Sequence, residues 1–199
     1  MSPTMYRSID RYRYRCRRWP RMHLPTTIQR SLSISIFKEY DIDIDVDIDC
    51  SVQLWLDSEI GARWRSGEFN VNVIKALGVD KLLPKRVKKL SGGERQAVSI
   101  AICLGRDADL YLLDEPSAHL DANARMEAAK AIRRTMEANE KSAFVIDHDV
   151  YFIDILSDSL LVFDGHGGTH GIAKGPFPLR EGMNQFLENV NITFGRDHD

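Results

Sequence analysis

LYLLDEPSAHLD, residues 110–121, sets a short apolar run directly before two carboxylates and a turn. An apolar run of this length, followed by a helical pattern, suits a strand buried on both faces. Asp114 and Glu115 then stand at the C-terminal end of that strand, where open α/β sheets place their ligands. Asp121 is the expected N-cap of a helix reaching to about Asn139, with Met126, Ala129, Ile132 and Met136 as its buried stripe. Downstream, SAFVID (142–147) and SLLVF (159–163) repeat the strand pattern. Strand, helix, strand, helix, strand predicts a parallel α/β sheet.

Upstream, residues 90–100 read LSGGERQAVSI. A Ser-Gly-Gly ahead of an apolar-periodic helix offers unpaired backbone N–H groups and the positive end of a helix dipole, which together suit a phosphate. A P-loop, G-x-x-x-x-G-K-[ST], would normally cradle that phosphate. The first glycine of this chain is Gly61 and no Gly-Lys pair occurs. The phosphate met by Ser91 is therefore expected to be gripped elsewhere, or the chain to be incomplete. Between Gly61 and the signature, NVNVIKALGVDKLLPKRVKK (70–89) reads as a short helix, a turn at Gly78 and a basic approach to the loop.

The carboxylates divide the chemistry. Asp114 suits Mg²⁺ held through its water shell, and Glu115 suits polarisation of an attacking water. VIDHD (145–149) ends the next strand with His148, whose imidazole can hydrogen-bond a γ-phosphate or the water attacking it.

Composition bounds the rest. The chain has 199 residues, 43% apolar, with a net charge of −2 that hides an Arg-rich start: eight Arg against Asp10 in residues 1–30. Cys16, Cys50 and Cys103 form no C-x-x-C pair, so neither a disulfide framework nor a zinc or iron–sulfur site is expected, and a reducing cytoplasm is. No apolar run suits a membrane span and no h-region follows the arginines. Residues 1–36, with Tyr6, Tyr12, Tyr14 and Trp19 among the arginines, fit either stacking on single-stranded nucleic acid or an unassigned, disordered or mistranslated segment. DIDIDVDID (41–49) alternates as an acidic strand face; it lacks the Gly and Glu of a calcium loop in either register. DGHGGTHGIAKGP (164–176) suits a small hairpin, and PLREGMNQFLENV (178–190) a closing amphipathic helix.

Taken together, LSGGERQ, LYLLDEP, SAHLD and VIDHD resemble the signature loop, Walker B strand, D-loop and switch histidine of ABC-type ATPases. That resemblance implies a partial ABC-type (RecA-like) nucleotide-binding domain over residues 37–199, α/β in class, with a parallel sheet core and a helical signature subdomain. It implies ATP and Mg²⁺ as cofactors. In that family two halves sandwich two ATP molecules, so Ser91, Gly92 and Gly93 would serve ATP held by the opposite half. Glu94, Gln96 and Asp121 join them as expected nucleotide-binding residues, with Glu115 and His148 catalytic and Asp114 on the metal. A narrower resemblance rests on DADLYLLDEPSAHLDANARMEAAKAIRR, VIDHDVYFIDILSDSLLVFDG and REGMNQFLENVNITFGRD. Over residues 41–199 these look like the second nucleotide-binding half of the RNase L inhibitor family, soluble ATPases that split ribosomes. Ribosomal subunits and release factor are the partners it implies. The family's cysteine-rich domain, first half, P-loop and Q-loop glutamine (near FKEYD, 37–41) are not in this sequence, Gly195 replaces its usual Arg, and the chain is expected to stop inside the C-terminal hinge. A transporter's ATP-binding subunit shares the four core motifs and is the alternative.

Overall fold

The computed structural model describes residues 34–37, 50–166 and 170–188. The arginine-rich start up to residue 33, the acidic 41–49 repeat and the terminal ITFGRD lie outside the described residues. The chain divides into two compact units, Met1–Asp149 and Val150–Asp199.

The first unit is built on a parallel three-stranded sheet in the order β1 (Ile34–Phe37), β2 (Leu110–Asp114), β3 (Ser142–Ile146). Ile34 pairs with Leu110 and Leu110 with Ser142, which places Asp114 beside Ile146 at the C-terminal edge. The expected strands at 110 and 142 are thus in place, and the boundary expected at residue 36 falls inside β1. Burial on both faces is not found. In β2 the alternate residues Tyr111 and Leu113 are buried while their neighbours are half-buried. In β3 Phe144 and Ile146 are exposed. Pleating sends successive side chains to opposite faces, and one face of this sheet is the less covered among the described residues.

Six α-helices are described. α1 (Val52–Ile60) is capped by Ser51, whose side chain accepts from the Leu54 amide at 3.3 Å. A single turn, α2 (Gly67–Phe69), runs on into a π-helical stretch at Asn70–Lys75, and the turn at Gly78 follows. Val52 N donates to Lys85 O (2.9 Å) and Val87 N to Cys50 O (3.0 Å), so the basic approach is laced to the start of α1. α3 (Gly92–Gly105) is the central helix, buried continuously from Gln96 to Gly105. A Cβ on Gly105 would lie 2.5 Å from Cδ1 of Ile60, so a side chain there would force α1 and α3 apart. Leu56, Ile74, Ile100, Leu104, Leu113 and Ile132 are fully buried and form the core, each contributing about 1.5–3 kcal/mol of apolar burial.

α4 (Ala122–Asn139) begins and ends where the sequence placed it, with the Asp121 carboxylate accepting from the Ala124 amide at 2.8 Å. Its buried face includes Ala129 and Ile132 of the expected stripe but neither of its two methionines. Ala128, Ala129, Ala131, Ile132 and Thr135 are buried, whereas Met126 is 43% exposed and Met136 half-buried. Small residues let the helix sit close, so alanines rather than methionines mark the contact.

The second unit holds α5 (Val150–Leu156), the antiparallel pair β4 (Ser159–His166) and β5 (His170–Pro178), and α6 (Leu179–Leu187). The run at 159–163 is therefore not the expected further strand of the parallel sheet. Its ladder partner is β5, which starts only a few residues along the sequence, and an antiparallel pair needs no crossover. The expected hairpin is real but longer than the turn sequence suggested. α6 packs on β4, where a Cβ on Gly182 would fall 2.7 Å from Leu160 Cβ.

Candidate functional site

The site is assembled inside the first unit from the start of α3, the end of β2 and the end of β3. Ser91 caps α3 by a reciprocal pair: its hydroxyl accepts from Glu94 N at 3.3 Å, and the Glu94 carboxylate accepts from Ser91 N at 3.0 Å. The amides of Gly92 and Gly93 meet no acceptor among the described residues and stand at the positive end of a 14-residue helix. Glu94 adds a negative charge there, which Lys85 neutralises at 2.6 Å. The Lys85 hydrogen bond, then the Ser91 amide, hold the Glu94 carboxyl below the usual carboxylate range. The cap is thus fully formed above the unfolded-state carboxylate pKa and is lost as pH falls through the lower folded value.

The two glycines also face inward. A Cβ on Gly93 would fall 2.8 Å from His119 O, and one on Gly92 3.3 Å from His119 Cγ. The SAHLD turn therefore lies directly on the signature, an approach that only bare backbone permits. His119 itself has φ +58.

Gln96 is buried, and its amide donates to both Glu115 O and Pro116 O at 3.1 Å. It braces the turn after β2 from beneath. Glu115 has φ +47, a conformation that costs a non-glycine residue about 1 kcal/mol or more and persists where its surroundings dictate it. Here they do: Glu115 N donates to Ile146 O (2.8 Å), and Ala118 N closes the turn onto Glu115 O (3.1 Å). The Glu115 side chain, 48% exposed, comes within 3.8 Å of Nδ1 of His148, itself 77% exposed. Asp114 is half-buried at the strand end, and Asp121 is occupied in capping α4.

Sequence reasoning missed Asp147. Its carboxylate accepts from Ser117 N, Ser117 Oγ, His148 N and Asp149 N at 2.8–3.0 Å, and so knots the β2 turn to the β3 loop. The available signal was an Asp at a strand end followed by two more polar residues, with a serine in the facing turn.

The donor set can be weighed against what it would hold. Exposed amides at a helix N-terminus suit a phosphate oxygen. No group of three or more His, Cys, Asp or Glu side chains among the described residues is placed to hold a metal. Asp114 alone suits a hydrated Mg²⁺ whose other ligands are water and phosphate, the usual manner of that ion. No helix among the described residues is long and apolar enough to cross a membrane.

Residues 26–118 match the family model described as ABC transporter. An uncharacterised ABC transporter ATP-binding protein of Methanocaldococcus jannaschii is 48% identical over 129 residues, covering 65% of this chain and 22% of that protein. Translation initiation factor RLI1 of Saccharomyces cerevisiae is 41% identical over 139 residues, 70% of this chain and 23% of its own length. Among solved structures, the complex of an archaeal ribosomal stalk protein with an archaeal ribosome recycling factor aligns with a TM-score of 0.78 at 45% identity. It covers 84% of this chain and 32% of the matched one. The chain thus spans under a quarter of the length of these curated relatives.

Proposed function

Because this chain belongs to the RNase L inhibitor family of ABC-type ATPases, we propose that it is the second ATP-binding half of a factor that separates ribosomal subunits in the cytoplasm. The observation that carries this reading is the meeting of signature, β2 carboxylates and His148 in one unit, without a P-loop motif in the sequence.

ATP, bound with Mg²⁺, would supply the phosphoanhydride bond whose hydrolysis by water is used as work. Asp114 would hold the metal through its water shell. Glu115 accepts a proton from the attacking water, which its half-exposed carboxylate can reach. His148, beside it, hydrogen-bonds the γ-phosphate or that water. The Gly92 and Gly93 amides, with Ser91, close over the phosphate of ATP held by the opposite half. Glu94 and Gln96 act here through structure: Glu94 completes the cap, and Gln96 holds the Glu115 turn. Asp121 sets the start of α4 behind the D-loop.

A transporter subunit would share these motifs. The translation-factor relatives and the closing GMNQFL helix support the ribosomal reading instead. With the opposite half and a P-loop supplied, the assembly is expected to lower the light scattering of 70S- or 80S-type ribosomes on addition of Mg·ATP and release factor. Scattering that stays constant, while ATP is hydrolysed, would remove the ribosome from the proposal.

A further inference from the structure

We propose that Asp147 is the positioning residue of this site: its ionised carboxylate fixes the separation between Glu115 and His148, and so the rate of hydrolysis, without touching nucleotide. This deepens the reading above and rests on it.

Among the described residues the Asp147 carboxylate takes four hydrogen bonds, all from donors. Oδ1 accepts from Ser117 Oγ (2.8 Å), His148 N (2.8 Å) and Asp149 N (2.9 Å), and Oδ2 accepts from Ser117 N (3.0 Å). A protonated acid or an amide would turn a hydrogen toward one of these donors, so only the carboxylate satisfies them all. Ser117 is buried, and its N–H and hydroxyl have little water to turn to if that acceptor goes.

These bonds end beside the groups that carry the chemistry. Ser117 belongs to the turn that begins at Glu115 and is closed by Ala118 N on Glu115 O. The His148 amide belongs to the residue whose ring faces Glu115. One carboxylate therefore ties together the two segments whose side chains meet at 3.8 Å. Gln96 and the Ile146 carbonyl hold the near end of the turn; Asp147 holds its far end. The loop after β3 is further fixed by Arg125, whose Nη1 lies 2.7 Å from the Asp149 carboxylate. Loosening the Asp147 tie leaves both reacting groups present but lets their spacing drift, which harms rate more than fold.

Two variants test this. In the ATP-hydrolysing assembly, Asp147→Asn is expected to lower kcat about 10-fold while KM for ATP stays within about twofold. Ser117→Ala, which removes one hydroxyl donor, should act in the same direction more weakly, and the double variant should be no worse than Asp147→Asn alone. In the chain itself, the nuclear Overhauser contact between the His148 ring and the Glu115 side chain should be lost in Asp147→Asn with the far-UV spectrum unchanged. Wild-type kcat, or a retained contact, overturns the proposal. If Asp147→Asn fails to fold, Ser117→Ala decides by the same two readouts. Should Glu115→Gln itself leave hydrolysis intact, the reading of the site fails. A slowed Glu115→Gln beside a normal Asp147→Asn removes Asp147 alone.

Discussion

Glu115→Gln, with a P-loop supplied to this half, is expected to retain ATP binding and slow single-turnover hydrolysis by about 10²-fold or more. The amide matches the carboxylate in size and leaves the backbone of the turn untouched, including Glu115 N on Ile146 O and Gln96 on Glu115 O. It also leaves Asp114, the residue assigned to the metal. What it removes is the acceptor for the proton of water, from a carboxylate that stands 3.8 Å from the His148 ring. Nucleotide affinity, measured separately, should change little. Near-normal hydrolysis at this half's own site would move the general-base role away from Glu115.

Ser91→Arg should do the reverse, sparing this half's own nucleotide and blocking closure over the other. Ser91 and Gly92 are exposed, so the longer side chain has room to point outward without entering the core. Loss of the cap costs about 1 kcal/mol, and Ser91→Ala controls for it. The remaining effect is the cation filling the space in front of the two glycine amides. Subunit separation is expected to be abolished by Ser91→Arg and only weakened by Ser91→Ala, with ATP docking on this half's P-loop near normal in both. Loss of binding at this half's own P-loop alone, with separation unaffected, would contradict a site shared between halves.

Much of this was legible because local chemistry and fold agree. LYLLD ends in charge at the residue where β2 ends, and Asp121 precedes a run of good helix formers, so the bounds of β2 and α4 follow from polarity and capping. The Ser91 cap was implicit in Ser followed three residues on by Glu. What could not be read depends on packing partners. Met126 fits the helical period as well as Ala128 does, and only the closeness of the neighbouring surface selects the alanines. The run at 159–163 looks like any buried strand, and its pairing was decided by the turn beyond it. Gln96 and Asp147 were missed as organisers for the same reason. Each acts across a gap in sequence, on Glu115 and Pro116 or on Ser117, that no periodicity reveals.

As proposed, the signature of this chain serves a phosphate gripped by a P-loop that the sequence does not contain. Calorimetric titration of Mg·ATP into the chain by itself tests it most directly. The amides of exposed Gly92 and half-buried Gly93 offer hydrogen bonds to one phosphate edge but nothing that wraps the β- and γ-phosphates, so no heat of binding is expected at micromolar nucleotide. A saturable isotherm with micromolar affinity and one nucleotide per chain would contradict the claim.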